Sequence, residues 1–595
     1  ANGALRLTPG SACINAGNTA DAILTYGDIK GAGRVLGGIV DIGADESDGE
    51  LPAWNVIYVN GSTGDDAKNG LSWANAKKTL QAGMDLGSQL GGEVWVTAAI
   101  YPGPVTVKQG IHVYGGFTGV ETARDQRNFA LNATILDSAQ TDRVVNIPWY
   151  VGRFTWLDGL TIRNGLKDNG AGIYADGSPL IRFCTLYNNR ATGEGGAAYF
   201  NANWPIVRDC LVYGNTSGST GAALRINNGN LIASGNRIVG NTASGPGGAI
   251  IWSGGTHLIA NNVIAHNHAS YSSGVGGWNG ASNIVNNTIV DNIGRGAVDL
   301  MSGSSTMANN IIAGNGNGIY MVYGTPLTAH NNLFYRNYED FVNMPSVIGV
   351  NGNFSADPML VNSAEGYLLV DPKSPSRDAG SNAYVVPAYA DVEGQARIQG
   401  SYVDIGADES NGSTPVWAVS YVNGAAGDDA NTGTSWATAK KTVQAGLDTA
   451  SVLGGQLWVT GGTYKEKITL RPGVQAFGGF AGTEAQITDR VPATPATVLD
   501  GELGGTVVTA PWFVGPYGAL DTFTVTNGKA ASGGGILSNG GPSIRNSVIT
   551  ANQATSEGGA VYSDGWPTIQ GCTITNNSSG GIGAAIRSNS STKTW

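Results

Sequence analysis

Residues 237–241 read RIVGN, and the same pattern returns as VIAHN at 263–267, TIVDN at 288–292 and IIAGN at 311–315. Working outward, LTIRN, TLYNN and LVYGN precede these pieces and LFYRN follows them. The closing residues are Asn164, Asn189, Asn215, Asn241, Asn267, Asn292, Asn315 and Asn337, with Asn527, Asn552 and Asn577 repeating the pattern later. A unit of about 25 residues with three short strand-like pieces buries nothing alone. Stacked units share a core, with parallel strands ~4.8 Å apart. One Asn per coil then makes a ladder, each side-chain amide donating to one neighbour and accepting from the other. Asn also tolerates the left-handed backbone of a sharp corner. The expected fold is all-β, a right-handed parallel β-helix, or solenoid.

A longer period encloses this one. DIGADESDGELPAWNVIYVNG from Asp41 returns as DIGADESNGSTPVWAVSYVNG from Asp404, an offset of 363 that also pairs Trp54 with Trp417 and Trp73 with Trp436. Three segments follow: 1–52, the closing part of a preceding module; 53–412, a complete module; and 416–595, the N-terminal part of a following one. GELPAW and GSTPVW have the composition of short linkers. No leader peptide opens the stretch at Ala1, which reads as a mature product or as part of a longer array. Near each module start, SWANAKKTLQAGMDLG and SWATAKKTVQAGLDTA space Ala76, Leu80 and Met84 as one helical face. Each module is therefore expected to open with a short amphipathic helix that caps the stack and protects its edge strands.

Composition narrows the function. The 91 glycines among 595 residues are about twice the usual share. A net charge of −11 with no basic stripe speaks against nucleic acid and anionic membranes. No apolar run is long enough for a membrane span. Cys13, Cys184, Cys210 and Cys572 lack zinc or redox spacing. Cys184 and Cys210 are expected as buried thiols, with a bridge between coils as the alternative.

The coils and chain ends together resemble the pectate-lyase-like superfamily of parallel β-helix proteins. DPMLVNSAEGYLLVDPKSPSRDAG with DVEGQARIQGSYVDIGADE, and its counterpart over residues 7–46, is similar to the closing segment of large bacterial extracellular β-helix proteins, a choice-of-anchor region tied to cell-surface display. The resemblance implies an extracellular or cell-surface location. It does not fix an activity, since this fold carries lyases, hydrolases, adhesins and stalks. Lyases of the superfamily take a proton beside a uronate with a basic residue, and hydrolases need paired carboxylates. Between Asp209 and Asp291 this chain has no Asp or Glu, and its only cationic residues there are Arg225 and Arg237.

The first expectation is therefore a non-catalytic structural or adhesive protein without a cofactor, whose partners are copies of itself meeting end to end or further modules of one array. A lyase or other enzyme acting on acidic polysaccharide is the alternative, and a passive glycan-binding module a third. Phe200, Trp252 and Trp278, each 11 residues after a ladder Asn, could form an aromatic platform for sugar rings. The loops with Asp65, Asp66, Asp428 and Asp429 could serve calcium, though turn-forming Asp is the plainer reading. Asp41, Asp45 and Glu46, with Asp404, Asp408 and Glu409, are read as acceptors for backbone donors at a closing turn. His266 and His268 could ligate a metal as alternate strand residues; with His257 they are more simply surface histidines of the coils.

Overall fold

The computed structural model describes residues 11–16, 39–41, 55–201, 203–324, 326–362, 367–386, 389–451, 454–491 and 496–589. Asp45 and Glu46 lie outside them. The fold is a right-handed parallel β-helix. Its contacts group into two compact units, one of residues 1–138, 144–162 and 176–184, the other of 139–143, 163–175 and 185–595.

In the first unit the strands Val56–Val59, Gly92–Thr97, Ile111–Phe117, Trp156–Asp158 and Leu180–Arg182 pair in parallel in that order. Helix α1, Leu80–Leu90, lies against them with Leu80, Gly83, Met84 and Gly87 buried. It begins at Leu80 because the Thr79 hydroxyl accepts from the Ala82 N–H, so Ala76 falls outside it. Ala76 instead follows a 3-10 turn, Trp73–Asn75, capped by Ser72. Gly83 allows the close approach: a Cβ there would stand 2.2 Å from Val59. Helix α2, Val443–Ala450, repeats this arrangement in the second unit, with Thr442 as its cap.

The central coils of the second unit present three long sheet faces and one shorter, four-stranded one. One contains Thr185–Tyr187, Leu211–Tyr213, Arg237–Val239, Val263–Ala265, Thr288–Val290, Ile311–Ala313 and Leu333–Tyr335, paired in parallel. The middle residues Leu186, Val212, Ile238, Ile264, Ile289, Ile312 and Phe334 stack inward and are buried. Each strand is too short to be stable singly, and the shared apolar column holds the coils together.

Two asparagine ladders flank this face. In the first, side-chain amides link Asn189 to Asn215, Asn241, Asn267, Asn292, Asn315 and Asn337 at 2.8–3.1 Å. Asn552 donates to Asn577 at 3.0 Å. Asn164 and Asn527 are not rungs. Gly165 and Gly528 occupy the rung positions, donating their N–H groups to Asn189 and Asn552. Asn164 and Asn527 sit one residue earlier, at the corner, with φ of 56° and 55°.

That corner corrects a second expectation. In the central coils the left-handed residue is the one before the rung: Asn188, Gly214, Gly240, His266, Asp291, Gly314 and Arg336 all have positive φ. The rung asparagines serve through their side chains. The second ladder runs Asn236, Asn262, Asn287, Asn310, Asn332 and Asn353, at 2.8–3.0 Å. Five residues separate the ladders in every coil, as at 236 and 241, 262 and 267, or 310 and 315, while the coil itself shortens from 26 to 22 residues. All four cysteines are free thiols, and Cys210 takes a position in the second ladder.

Within the second unit, residues 416–589 form their own coils. The strands Val419–Val422, Gly455–Thr460, Val474–Phe480, Ala519–Asp521, Ser543–Arg545 and Thr568–Gln570 pair in that order. Among the described residues, none of the strands from Val419 onward pairs with a strand of the preceding module.

Candidate functional surfaces

The sheet face between the ladders is covered over its later half. Val263, Ala265, Val290, Ile311, Ala313 and Leu333 pack with Leu360, Leu368, Leu369, Val370, Val392, Ile405 and Ala407 of the closing segment. Corner asparagines before the second ladder fasten that segment. Asn261 donates to the Ala390 carbonyl at 3.0 Å, Asn286 to Tyr384 at 3.1 Å, Asn309 to Ser381 at 3.0 Å and Asn331 to Ala379 at 3.0 Å. Ala407 N–H donates to Thr288 Oγ1 at 3.0 Å. Apolar burial supplies the energy, and the amides set the register.

The opposite corner of that face holds the third module. His268 stacks on Trp512 with ring centroids 4.6 Å apart, and Phe513 meets it edge-on at 4.6 Å. His266 Nδ1 lies 3.0 Å from Asp291 Oδ2, and both are buried. Gly473 makes room for the His266 ring: a Cβ there would lie 2.3 Å from it. Tyr338 meets Trp566 at 5.5 Å, and Arg336 donates to Thr568 Oγ1 at 3.2 Å. Burial lowers the His268 pKa to about 3 and raises that of Asp291. His266 and His268 are thus packing residues of this contact, and His257 is buried against Trp252.

The carboxylates of the central coils have partners. Asp209 pairs with Arg208 at 2.9 Å, and Asp299 with Arg295 at 2.9 Å. Arg225 is held by Glu194 at 2.9 Å and by Ser253 Oγ at 3.0 Å.

Phe200 and Trp252 are core residues, each no more than 1% exposed, and share one inward column with Ile226 and Gly277. Trp278 is in register with Ser253, one position off that column. The reason is a connection one residue shorter: Ile250 lies nine residues after Asn241, whereas its partner Val275 lies eight after Asn267. No platform forms from these three. Stacked outward aromatics occur elsewhere, as Tyr187 on Tyr213 at 5.0 Å and 9°, and Tyr174 on Tyr199 at 5.4 Å and 10°.

Asp66 and Asp429 spend their oxygens on protein donors. Asp66 accepts from the N–H groups of Lys78 and Thr79 and from the Thr79 hydroxyl, and Asp429 accepts likewise from Lys441 and Thr442. Burial opposes ionisation, yet these bonds outweigh it and hold both below the usual carboxylate range. Asp65 and Asp428 each accept a backbone N–H two residues on. Among the described residues, no three His, Cys, Asp or Glu side chains converge as a metal site.

Asp404, Asp408 and Glu409 surround the buried Arg397, which donates to the carbonyls of Asp404, Gly406 and Ala407. Burial lifts Asp408 and Glu409 to about 7. Their backbone donors are Val370 for Asp408, Asp404 and Gln399 for Glu409, and Asp378 and Ser410 for Asp404. A cavity of about 300 Å³ lined by Val370, Asp408, Ser413 and Trp417 opens beside them.

An ionic cluster in the first unit was not anticipated. Arg124 reaches Glu93 at 2.6 Å and the Tyr114 hydroxyl at 3.1 Å, while Arg127 and Arg182 both grip Asp158 at 2.5 Å. His112 stacks on Trp156 at 4.0 Å. Burial, aided by Arg124 and Arg182, lowers His112 to about 4; burial and Glu93 raise Tyr114 to about 12. Both rings are therefore neutral at pH 7, and the charges neutralise one another. One module later, Gln456, Gln475, Phe477, Ile487 and Ala519 replace Glu93, His112, Tyr114, Arg124 and Trp156, while the Asp158 cluster persists as Asp521, Arg490 and Arg545. Comparing the copies at an offset of 363 was the signal that could have exposed it.

Comparison with known proteins agrees on the class of fold. A family model described as "Right handed beta helix region" matches residues 232–348. Among solved structures, pectate lyase Pel9A is similar at 14% identity and a TM-score of 0.39, over 60% of this chain and 96% of that one. PL6 family alginate lyase AlyGC is similar at 11% identity and a TM-score of 0.22, over 91% of this chain and 79% of that one. No curated protein matches.

Proposed function

We propose that this chain is a non-catalytic structural protein of an extracellular or cell-surface array, built from β-helix modules that pack against one another through their coil corners. The observation that carries the reading is the covered face: apolar closing-segment residues lie over the strands from Val263 to Leu333, where a lyase would need an open groove. The paired state of Asp209, Arg225 and Asp299 supports it. Contact through corner residues, rather than strand pairing between modules, favours lateral packing over coaxial end-to-end stacking.

The test is incubation with pectate, alginate and hyaluronan, followed by ultraviolet detection of unsaturated uronate and sizing of the products. No turnover is expected, and clear turnover of any of the three overturns the reading. A second reading, passive retention of polysaccharide, is favoured by the Tyr187–Tyr213 stack. Replacing both tyrosines with Ala should then abolish retention on a polysaccharide column with coil protection intact; unchanged retention overturns it.

A further inference from the structure

We propose that loop 148–155 is a docking loop for the corner face of the preceding module in the same array. The inference rests on the lateral-packing reading above and comes from a comparison of two loops 363 residues apart. Residues 511–518 read PWFVGPYG, and residues 148–155 read PWYVGRFT.

In the third module this loop carries three aromatic contacts. Trp512 stacks on His268 and Phe513 abuts it edge-on. Tyr517 packs with the cluster that includes Val290, Ile311 and Ala313. Gly314 admits the Tyr517 ring, since a Cβ there would stand 2.6 Å from it. The counterparts are Trp149, Tyr150 and Phe154.

The earlier loop has the same shape before any partner is present. Val151 N–H bonds to the Pro148 carbonyl at 3.0 Å, as Val514 does to Pro511. Trp149 and Tyr150 meet at 5.8 Å and 82°, against 5.8 Å and 81° for Trp512 and Phe513. Yet Trp149 is 78% exposed and Phe154 75% exposed. Two large rings held rigidly in water on one eight-residue loop are a docking signature rather than core. Their preset geometry lowers the ordering cost of association.

The occupant follows from the repeat. Residues 7–46 copy the closing segment at 370–409, and Asn15 N–H bonds to Asp41 Oδ1 at 2.6 Å, as Asp378 does to Asp404. A closing segment belongs to a module in front of it. The corner face of residues 266–338 in this chain is already filled by Gly473, residues 511–518, Trp566 and Thr568, so a second copy of the chain has no vacant face to offer. The preceding module does.

The experiment uses a lengthened chain in which residues 53–415 occur twice in tandem, placing a corner face ahead of one copy of the loop. Hydroxyl-radical oxidation is read by mass spectrometry at Trp149, with Trp512 as the internal standard for a docked loop. Trp149 oxidation should fall by about a fifth relative to the present chain, because one of its two copies is covered and the docked Trp512 keeps 48% exposure against 78% for Trp149. Unchanged oxidation at Trp149 overturns the proposal.

A second arm needs no added module. Gly473→Val, which detaches the third module, combined with Trp512→Ala and Tyr517→Ala frees the face at 266–338, and such chains should associate in sedimentation velocity. Adding Trp149→Ala and Phe154→Ala should return them to monomers. Association that survives those substitutions, or none at 100 µM, overturns the proposal. Turnover of polysaccharide would sink the structural reading and leave this contact standing.

Discussion

Asn267→Ala tests the ladder at a rung in its middle. Its side-chain oxygen accepts from Asn241 N–H at 3.0 Å and from Asn241 Nδ2 at 2.9 Å. Its Nδ2 donates to the Ile238 carbonyl at 2.8 Å and to Asn292 Oδ1 at 3.0 Å. Alanine removes all four bonds. Asn241 Nδ2 keeps the carbonyls of Val212 and Val239, and Asn292 Oδ1 keeps the residue 267 N–H. The Asn241 N–H loses its acceptor in a buried site. One orphaned donor costs about 1–3 kcal/mol, and the vacated volume adds about 1 kcal/mol. The expected loss is therefore about 2–4 kcal/mol of local stability. Asn164→Gly, which keeps the left-handed corner beside a rung held by Gly165 and removes the contact with Asn188, should cost about 1 kcal/mol. Unfolding of a solenoid this long is not all-or-none, so the assay is native-state hydrogen exchange resolved by peptide. Protection should fall over residues 238–293 and persist two coils away. A loss below about 1 kcal/mol at Asn267, or one equal to that of Asn164→Gly, refutes the ladder as a principal source of coil stability.

The two covers of the central face should respond to pH in opposite directions. His268 is held neutral, its pKa lowered to about 3 from an ordinary 6.5, so its contribution is complete above pH 6.5 and fades on acidification. At pH 4.5 the contact at Trp512 and Phe513 should be weaker by about 2–3 kcal/mol, seen as loss of protection factors over 511–518. Asp408 and Glu409 are raised to about 7, so the closing segment is firmest near pH 4 and loosens as pH climbs through 7; protection over 391–409 that rises with pH would contradict this. Gly473→Val places a branched side chain against the His266 ring and should detach the third module, read as increased oxidation of Trp512. Thr79→Ala removes the α1 cap and should cost about 1 kcal/mol, while calcium should leave melting unchanged because Asp66 already accepts three protein donors; a melting shift with calcium contradicts that account.

The coil stack was legible because its signal is periodic. Apolar triplets ending in Asn recur wherever a strand ends at a corner, and the inward column from Leu186 to Phe334 follows from them. Register at the single-residue level was not legible. Asn164 and Asn527 fit the spacing but stand at the corner, since Gly can hold a rung's backbone position without supplying its amide. The second ladder was written as the dipeptides Asn261-Asn262, Asn286-Asn287, Asn309-Asn310 and Asn331-Asn332, each a corner residue followed by a rung. The supposed aromatic platform failed because a connection lost one residue, which moves Trp278 off the column of Trp252. Covering of the central face lay beyond local pattern, because it joins residues as far apart as Asn261 and Ala390.

The constant interval between the two ladders acts as a gauge. Changes in chain length along the central coils have been absorbed in the other arm of each turn, where 21 residues (Asn241 to Asn262) shrink to 17 (Asn315 to Asn332) without disturbing a rung. Foreign peptides inserted into the turns around 244–248 or 294–297 should therefore be carried as evenly spaced appendages, whereas even one residue added between Asn262 and Asn267 would break both zippers at once.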